Sequence, residues 1–210
     1  MNPTTIVFDL GAVLLQWQPV WLVQQLLPRH APDAASAERL CAAMFGGFRP
    51  DAAWASFDAG RIAPKALAEA LSPATGVPAP QLLDFILAVP DHLHTKPDTA
   101  ALLPRLHAAG HRLVYLSNMP LPYASRLLAE RNFFRHFADG IFSGRVGLVK
   151  PEQGIFALAE ERLGLAPSRT VFIDDSAHNV ATARARGWQA IQFHDAGQCE
   201  AELRQAGWLA

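Results

Sequence analysis

Three short apolar segments of the sequence each lead directly into side chains that could do chemistry. The polar residues that follow these segments are Asp9, Ser117, Asn118, Asp174 and Asp175. A carboxylate at the end of a buried strand is costly unless a metal ion, a cation or hydrogen bonds compensate its charge. We therefore expect these residues to share one site, with Asp9 at its centre.

The charges of these residues indicate what the site would bind. Asp9, Asp174 and Asp175 cannot all ionise side by side without compensation. Lys150 and one divalent cation would together balance these acids. Carboxylate oxygens in an open octahedral arrangement favour Mg²⁺, which usually shares a substrate phosphate. With Ser117 near a helix start as a further anion ligand, the set predicts a phosphoryl-transfer site.

Each residue also has a simpler interpretation when it is taken alone. Ser117 with Asn118, and Asp174 with Asp175, precede helical patterns and are residue types that cap helices. Lys150 alone is typical of a solvated surface. These interpretations do not explain why the polar residues follow the apolar segments so consistently, so we prefer the common site.

Alternating strand and helix patterns predict the fold that would bring these residues together. Segments rich in β-branched and aromatic residues predict strands at 5–9, 112–117, 139–143, 170–174 and 189–193. From residue 97 onward they alternate with helical patterns, at 97–109, 120–132, 151–163 and 177–186. This alternation predicts an α/β fold with a doubly wound parallel sheet. Ligands of such sheets bind beyond the carboxyl ends of the strands.

The segment between the first two strands differs from the rest of the chain. It shows helical apolar spacing and no convincing strand from about residue 18 to residue 94. We predict an α/β core of residues 1–16 and 95–210 and an inserted helical cap of residues 17–94. Helices over the ligand-binding edge of a sheet could form a lid or merely extend the core, and the spacing leaves both open.

Composition narrows the class of protein. The chain has 210 residues, is 50% hydrophobic and carries a formal net charge of −1, which gives no reason to expect nucleic acid or a membrane as partner. Cys41 and Cys199 lack metal or disulfide spacing and suit a reducing compartment. The sequence shows no signal peptide and no apolar run long enough to span a bilayer. We expect a cytoplasmic monomer or homodimer that acts on a small molecule.

Four motifs, in this order, resemble the haloacid dehalogenase (HAD) superfamily, in its phosphatase branch, over nearly the whole chain. IVFDLGAVL has Asp9 in the nucleophile's place, VYLSNMP has Ser117 as the phosphate-binding hydroxyl, and GLVKPEQGIF has Lys150 as the motif's lysine. VFIDDSAHNVATARARGW has Asp174 and Asp175 in the metal-binding places. The helical segment lies where one subclass carries an α-helical cap, and FDAGRIAPKALAEAL resembles cap helices of small bacterial members.

The resemblance implies a two-step hydrolysis of a phosphate ester. Asp9 would attack phosphorus and form an aspartyl-phosphate, which water would then hydrolyse. Lys150 would neutralise the nucleophile and the transferring group, Ser117 would hold a phosphoryl oxygen, and Asn118 would lie near the leaving group. The implied Mg²⁺ ligands are Asp9, Asp174, Asp175 and the main-chain carbonyl of Gly11.

Gly11 departs from the family pattern, because most family phosphatases carry there a second aspartate that protonates the leaving oxygen. We favour a phosphatase whose leaving group needs little protonation, such as a sugar 1-phosphate. The same glycine occurs in the similar group of bacterial α-D-glucose-1-phosphate phosphatases. A 2-haloacid dehalogenase also lacks the second aspartate, but needs no metal and should not keep Asp174 and Asp175 together. A non-catalytic HAD-like binding protein is the remaining alternative.

A few further residues could contribute to the site. His92 and His94 could transfer protons, although histidines in linkers are usually solvated. Asp58 and Arg61 in the cap could touch the substrate, but we expect a local ion pair at a helix end. Asn179 could orient the metal-binding acids.

Overall fold

The computed structural model describes residues 4–46 and 51–209, and its centre is a parallel sheet of five strands in the order β3-β2-β1-β4-β5. The strands are β1 (Thr5–Phe8), β2 (Arg112–Ser117), β3 (Asp139–Phe142), β4 (Thr170–Asp174) and β5 (Gln189–Gln192). The chain runs outward from β1 to β3 and then returns to the other side of β1 for β4 and β5. The order of the strands therefore reverses beside β1.

Helices cover both faces of this sheet and also form an insert between β1 and β2. The insert contains α1 (Pro19–Leu26), α2 (Ala34–Phe45), α3 (Ala53–Asp58), α4 (Pro64–Thr75) and α5 (Ala79–His92). The helices that follow are α6 (Pro97–Ala100), α7 (Leu102–Ala108), α8 (Leu121–Glu130), α9 (Gln153–Leu163), α10 (Ala177–Ala185) and α11 (Ala196–Gln205). Among the described residues, no helix is both long and apolar enough to cross a membrane.

Alternate residues of the strands point into two separate cores. On β1, Ile6 and Phe8 pack with residues of α7, α8 and α11, whereas Val7 packs with α9 and α10 on the opposite face. Because successive side chains of a strand point to opposite faces, strands that are apolar throughout must be covered on both sides. The continuous apolar strands of the sequence therefore require this doubly wound arrangement, and the predicted fold class is confirmed.

The ends of the insert lie side by side where the chain leaves and re-enters the core. Leu15 forms an antiparallel bridge with Thr95. The Gln16 amide donates to the His94 carbonyl at 2.8 Å, and the Lys96 amide donates to the Leu14 carbonyl at 2.8 Å. The division into domains at residues 17 and 94 stays a prediction, and these backbone contacts lie next to it.

The predicted strands differ from the observed ones by at most one residue, and the helices differ more. The predicted helix at 97–109 is divided into α6 and α7, because Pro104 has no N–H to donate to the carbonyl four residues earlier. The helix α11 was not predicted. Its mean apolar character is low, and only Cys199 and Leu203 of its residues are buried.

The insert and the core meet in a close backbone contact beside the end of β3. The Ser143 hydroxyl donates to the Asp58 carbonyl at 2.6 Å and accepts a hydrogen bond from the Met119 amide at 2.8 Å. Gly60 has a φ of +72°, and a Cβ at Gly60 would lie 2.5 Å from the Gly144 carbonyl oxygen. The contact therefore requires glycine at position 60, and it fixes the end of α3 against the core.

Replacing Gly60 should test how much this contact stabilises the protein. We expect Gly60→Ala to lower the free energy of unfolding by about 1–3 kcal/mol more than Gly76→Ala, because only the first variant forces two backbones apart. Gly76 is the matched control, since its φ is +68° and a Cβ there would meet no atom within 4 Å. Chemical denaturation of both variants gives the measurement, and equal losses would show that the close approach is not constraining.

Candidate active site

The polar residues collect where the order of the strands reverses. Asp9 directly follows β1, Asp174 ends the adjacent strand β4, and Ser117 ends β2 on the other side of β1. Parallel strands deliver their carboxyl ends to one edge of the sheet, and a crevice opens there at the reversal point. The sequence prediction of one shared site at this edge agrees with the positions of all three residues.

Lys150 is the buried cation at the centre of this edge. Its Nζ lies 2.8 Å from Asp9 Oδ1 and 2.6 Å from Asp174 Oδ2, and it is 3% exposed. Burial alone would lower the pKa of Lys150, but Asp174 and Asp9 raise it above its ordinary value. The surface interpretation of Lys150 is therefore wrong, and the side chain stays a cation between two carboxylates.

Asp174 is fully buried and carries a complete set of hydrogen bonds. Its Oδ1 accepts from the Ser176 amide at 2.8 Å, and both of its oxygens lie 3.0 Å from the Asn179 side-chain nitrogen. Together with Lys150, these groups fix both carboxylate oxygens. The hypothesis that Asn179 orients the acids therefore has a direct contact behind it.

Asp175 has a different environment although it is next in the chain. The residue is exposed, and its carboxylate is not held by a side-chain hydrogen bond or ion pair among the described residues. Burial of part of the group and the neighbouring Asp174 raise its pKa above the ordinary value. Asp175 is thus the acid of this set that is most open to an added ligand.

The three acids are arranged in a way that suits a divalent cation. Asp9, Asp174 and Asp175 each offer an oxygen, and these oxygens all lie within 4.8 Å of one another. Ligands on opposite sides of an octahedral Mg²⁺ are about 4.2 Å apart, since each metal–oxygen distance is about 2.1 Å. The Gly11 carbonyl accepts from the Val13 amide at 2.7 Å and keeps a second lone pair. The residues present therefore fit Mg²⁺.

Burial and the surrounding acids change the protonation of Asp9. Burial raises its pKa to about 7, against the opposing attraction of Lys150, and Asp174 and Asp175 raise it further. A cation bound beside Asp9 would favour the ionised form. Positive charge in addition to Lys150 would therefore increase the ionised fraction of Asp9 near neutral pH.

Ser117 and Asn118 have separate tasks at the end of β2. The Ser117 hydroxyl faces the crevice and has no hydrogen-bond partner among the described residues. The Asn118 side chain donates to the Lys150 carbonyl at 2.9 Å and accepts from the Lys150 amide at 2.8 Å. Helix α8 begins only at Leu121, so neither residue caps it, and Ser117 does not lie at a helix N-terminus as we expected.

A cavity of about 610 Å³ opens between this edge of the sheet and the insert. Asp9, Ser117, Lys150 and Asp175 line its inner end, and residues of the insert line the opposite side. A cavity of this volume suits a small-molecule ligand. The insert therefore lies over the carboxyl ends of the strands and also shares a core with the sheet, so both alternatives from the sequence stay open.

Asp58 is the residue of this cavity whose importance the sequence did not show. It ends α3 and lines the cavity together with Asp9, and burial raises its pKa to about 8, with a further contribution from Asp9. The expected ion pair of Asp58 with Arg61 is wrong, since Arg61 instead lies 3.9 Å from Glu152. The raised pKa of Asp58 favours its protonated form near pH 7, and the residue lines the crevice.

Neither candidate histidine of the linker belongs to this site. His92 packs edge-on against Trp21 with ring centroids 5.7 Å apart, and His94 is exposed. Neither lines the cavity. His178, which the sequence did not single out, lies at the cavity's exposed rim, and a histidine on an ordinary helix gives no pattern from which this position could be predicted.

Comparison with known proteins agrees with this geometry. A family model described as haloacid dehalogenase-like hydrolase matches residues 4–187. The sesquiterpene phosphatase astK of Aspergillus oryzae is 24% identical over 200 residues, which cover 95% of this chain and 94% of that protein. The phosphoglycolate phosphatase of Escherichia coli is 30% identical over 95 residues, which cover 45% of this chain and 38% of that protein.

The chain matches only part of some of these relatives. It covers 35% of the drimenol cyclase drtB of Aspergillus calidoustus, with 26% identity over 202 residues and 94% of this chain.

Among solved structures, a HAD family enzyme of Bacteroides thetaiotaomicron in complex with magnesium and inorganic phosphate has a TM-score of 0.70 at 21% identity, covering 92% of this chain and 95% of that one.

An L-2-haloacid dehalogenase from Xanthobacter autotrophicus, with chloropropionic acid covalently bound, has a TM-score of 0.67 at 22% identity. This likeness covers 99% of this chain and 84% of that one. At these identities the solved structures show a shared fold, while the family model spans most of the sequence and the relatives include phosphatases. The chain therefore belongs to the haloacid dehalogenase-like hydrolases.

Proposed function

We propose that this protein is a Mg²⁺-dependent phosphatase that hydrolyses a small phosphorylated metabolite through an aspartyl-phosphate on Asp9. The observation that carries the proposal is the Lys150 ammonium, which lies between the carboxylates of Asp9 and Asp174 in a cavity. An oxygen of Asp175 lies within 4.8 Å of an oxygen of each of these two acids. Cations around a carboxylate stabilise the charge that develops on a transferring phosphoryl group. The sesquiterpene phosphatase astK, which this chain matches over 94% of that protein's length, supports this reaction class.

Asp9 is the group placed to act as the nucleophile. Lys150 holds one of its oxygens, and the Asp9 amide donates to the Ile173 carbonyl at 2.8 Å, so its position is fixed from both sides. An oxygen of Asp9 forms the new bond to phosphorus as the bond from phosphorus to the leaving oxygen breaks. The Ser117 hydroxyl is available to hold a phosphoryl oxygen during this step.

The metal would be held by Asp9, Asp175 and the Gly11 carbonyl, with Asp174 orienting Lys150. Asp174 already has hydrogen bonds at both oxygens, whereas the Asp175 carboxylate is open. Bound Mg²⁺ would supply charge that neutralises the phosphoryl oxygens and keeps Asp9 ionised.

Asp58 supplies the proton that Gly11 cannot supply. Its raised pKa keeps it protonated near neutral pH, and it lines the cavity beside Asp9. Asp58 gives its proton to the leaving oxygen in the first step and accepts a proton from the attacking water in the second step. The second step releases inorganic phosphate and restores Asp9.

Two expectations from the sequence remain untested by the comparisons. A sugar 1-phosphate as substrate and a cytoplasmic location both stay predictions. A substrate panel that includes sugar phosphates, 2-haloacids and simple phosphate esters separates the phosphatase from the dehalogenase and from a binding protein. Halide release without metal would support the dehalogenase alternative.

Removing the nucleophile tests the function directly. We expect Asp9→Asn to lose at least 10⁴-fold in kcat on p-nitrophenyl phosphate with Mg²⁺, because an amide cannot form the aspartyl-phosphate. Initial rates with Mg²⁺ and with chelator provide the measurement, and circular dichroism confirms the fold of the variant. A variant that keeps near-normal rates would exclude Asp9 as the nucleophile.

Asp58→Asn tests the proton donor through the choice of leaving group. We expect kcat to fall by about 10²–10⁴-fold on an alkyl phosphate, whose alkoxide needs a proton, and by less than about tenfold on p-nitrophenyl phosphate. Equal losses on both substrates would contradict the assignment.

A Cβ at Gly11 would meet no atom within 4 Å, so Gly11→Asp is sterically permitted. This change should restore part of the alkyl phosphate activity to Asp58→Asn, whereas Gly11→Asn, the matched control, should not.

The raised pKa of Asp9 predicts how metal binding depends on pH. Because Asp9 holds its proton up to about pH 7 in the metal-free protein, Mg²⁺ must displace that proton at low pH and binds an ionised group at high pH. The rise in Tm on adding Mg²⁺ should therefore be larger at pH 8 than at pH 5. Asp175→Asn should reduce the rise at pH 8, and a rise that is equal at both pH values would contradict the prediction.

A further inference from the structure

The part of the cavity that faces the insert has a lining that phosphoryl transfer does not explain. At about 610 Å³ the cavity suits a drug-sized molecule and exceeds what a phosphate alone requires. Beyond the ends of the strands, its walls include the side chains of Trp17, Trp54, Val89, Leu93 and Met119. The organic group that carries the phosphate would therefore lie against indole and aliphatic surfaces.

Two polar side chains of this wall already make hydrogen bonds within the protein, and His178 lies outside this wall at the exposed rim. The Tyr123 hydroxyl donates to the Ile86 carbonyl, and the Asn118 amide exchanges two hydrogen bonds with the Lys150 main chain. Asp58 is the acidic side chain that the described part of the insert adds to the cavity. A sugar would bring several hydroxyl groups for which these residues leave few partners, and an unpaired hydroxyl in a closed site lowers affinity.

The aromatic part of the wall is supported from behind by other rings. Trp54 packs edge-on against Phe45 with ring centroids 4.5 Å apart and against Phe57 at 6.0 Å. Trp17 packs edge-on against the same Phe45 at 5.4 Å. Rings held in this way present a fixed apolar surface, so binding an apolar group does not require them to be reordered.

We propose that the substrate is a phosphate monoester of an apolar alcohol, whose hydrocarbon group lies between the two indoles and the aliphatic residues of the cavity. This inference rests on the phosphatase function proposed above. It is a rival to the sugar 1-phosphate predicted from the sequence, because a proton from Asp58 would allow an ordinary alcohol to leave although position 11 is glycine. The ester and water yield the alcohol and inorganic phosphate, with the proton from Asp58 ending on the alcohol oxygen.

A series of n-alkyl phosphates tests this proposal at constant leaving-group chemistry. From ethyl to hexyl phosphate the alkoxide is nearly the same, so a change in kcat/KM reports burial of the chain. We expect kcat/KM to rise about fourfold per methylene, which corresponds to about 0.8 kcal/mol for each buried CH₂. Hexyl phosphate should also exceed glucose 1-phosphate, although the sugar oxygen is the better leaving group. All assays contain Mg²⁺.

Two tryptophan variants connect this dependence to the cavity. Trp17→Ala should flatten the dependence of kcat/KM on chain length, since the variant removes one of the two indoles against which the hydrocarbon group would lie. Trp21→Ala is the matched control, because Trp21 is 47% exposed and does not line the cavity. This control should keep the dependence of the unaltered protein.

Acetyl phosphate separates failure of this inference from failure of the phosphatase function. If acetyl phosphate is hydrolysed but the alkyl series is flat, or glucose 1-phosphate exceeds hexyl phosphate, the apolar substrate class is overturned and the phosphatase function stands. If neither acetyl phosphate nor any ester is hydrolysed with Mg²⁺, both proposals are overturned. A chain-length dependence that Trp17→Ala leaves unchanged would overturn the assignment of this cavity.

Discussion

The buried ammonium of Lys150, placed between Asp9 and Asp174, is the interaction on which the rest of the site depends. Taking three charges out of water is costly, and apolar residues of similar volume often stabilise a protein more than a buried ion pair does. The arrangement is therefore better explained by chemistry than by stability. Burial is the main cause of the raised pKa of Asp9, and Asp174 and Asp175 add to it. A divalent cation beside these acids would favour the ionised form of Asp9. The main chain of Lys150 is in turn held by two hydrogen bonds with the Asn118 side chain.

The helical insert completes the site from the opposite side. Its contribution depends on a contact in which Ser143 hydrogen-bonds the Asp58 carbonyl and Gly60 approaches Gly144 too closely for any side chain. The contact holds the end of α3, where Asp58 lines the same cavity as Asp9 together with the rings of Trp17 and Trp54. In the mechanism that we propose, the sheet therefore supplies the groups that bind and attack phosphorus. The insert, as we propose, supplies the proton from Asp58 and the selectivity for the organic group.

The sequence predicted the sheet and its polar edge because both follow from local patterns. Strand lengths follow from apolar runs, and Asp9 and Asp174 end up together because parallel strands deliver their carboxyl ends to one edge. Asp58 could not be predicted in this way, since its position depends on a tertiary contact with a segment 85 residues away in the chain. Asn118 was predicted near the leaving group, whereas its observed contacts are to the Lys150 main chain, and its role toward substrate stays a prediction. Gly11 indicated correctly that a proton donor is absent from position 11, but not where the insert places an acid.

The central claim is that Asp9 becomes covalently phosphorylated during turnover. The most direct test is to quench the enzyme with acid during steady-state hydrolysis of a phosphate ester with Mg²⁺, and then to locate the phosphoryl group by peptide mass spectrometry. We predict a phosphoryl group on the Asp9 carboxylate that is absent without substrate. A phosphoryl group on another residue would contradict this mechanism. So would an unmodified Asp9 in enzyme quenched during turnover, both in single-turnover and in steady-state experiments.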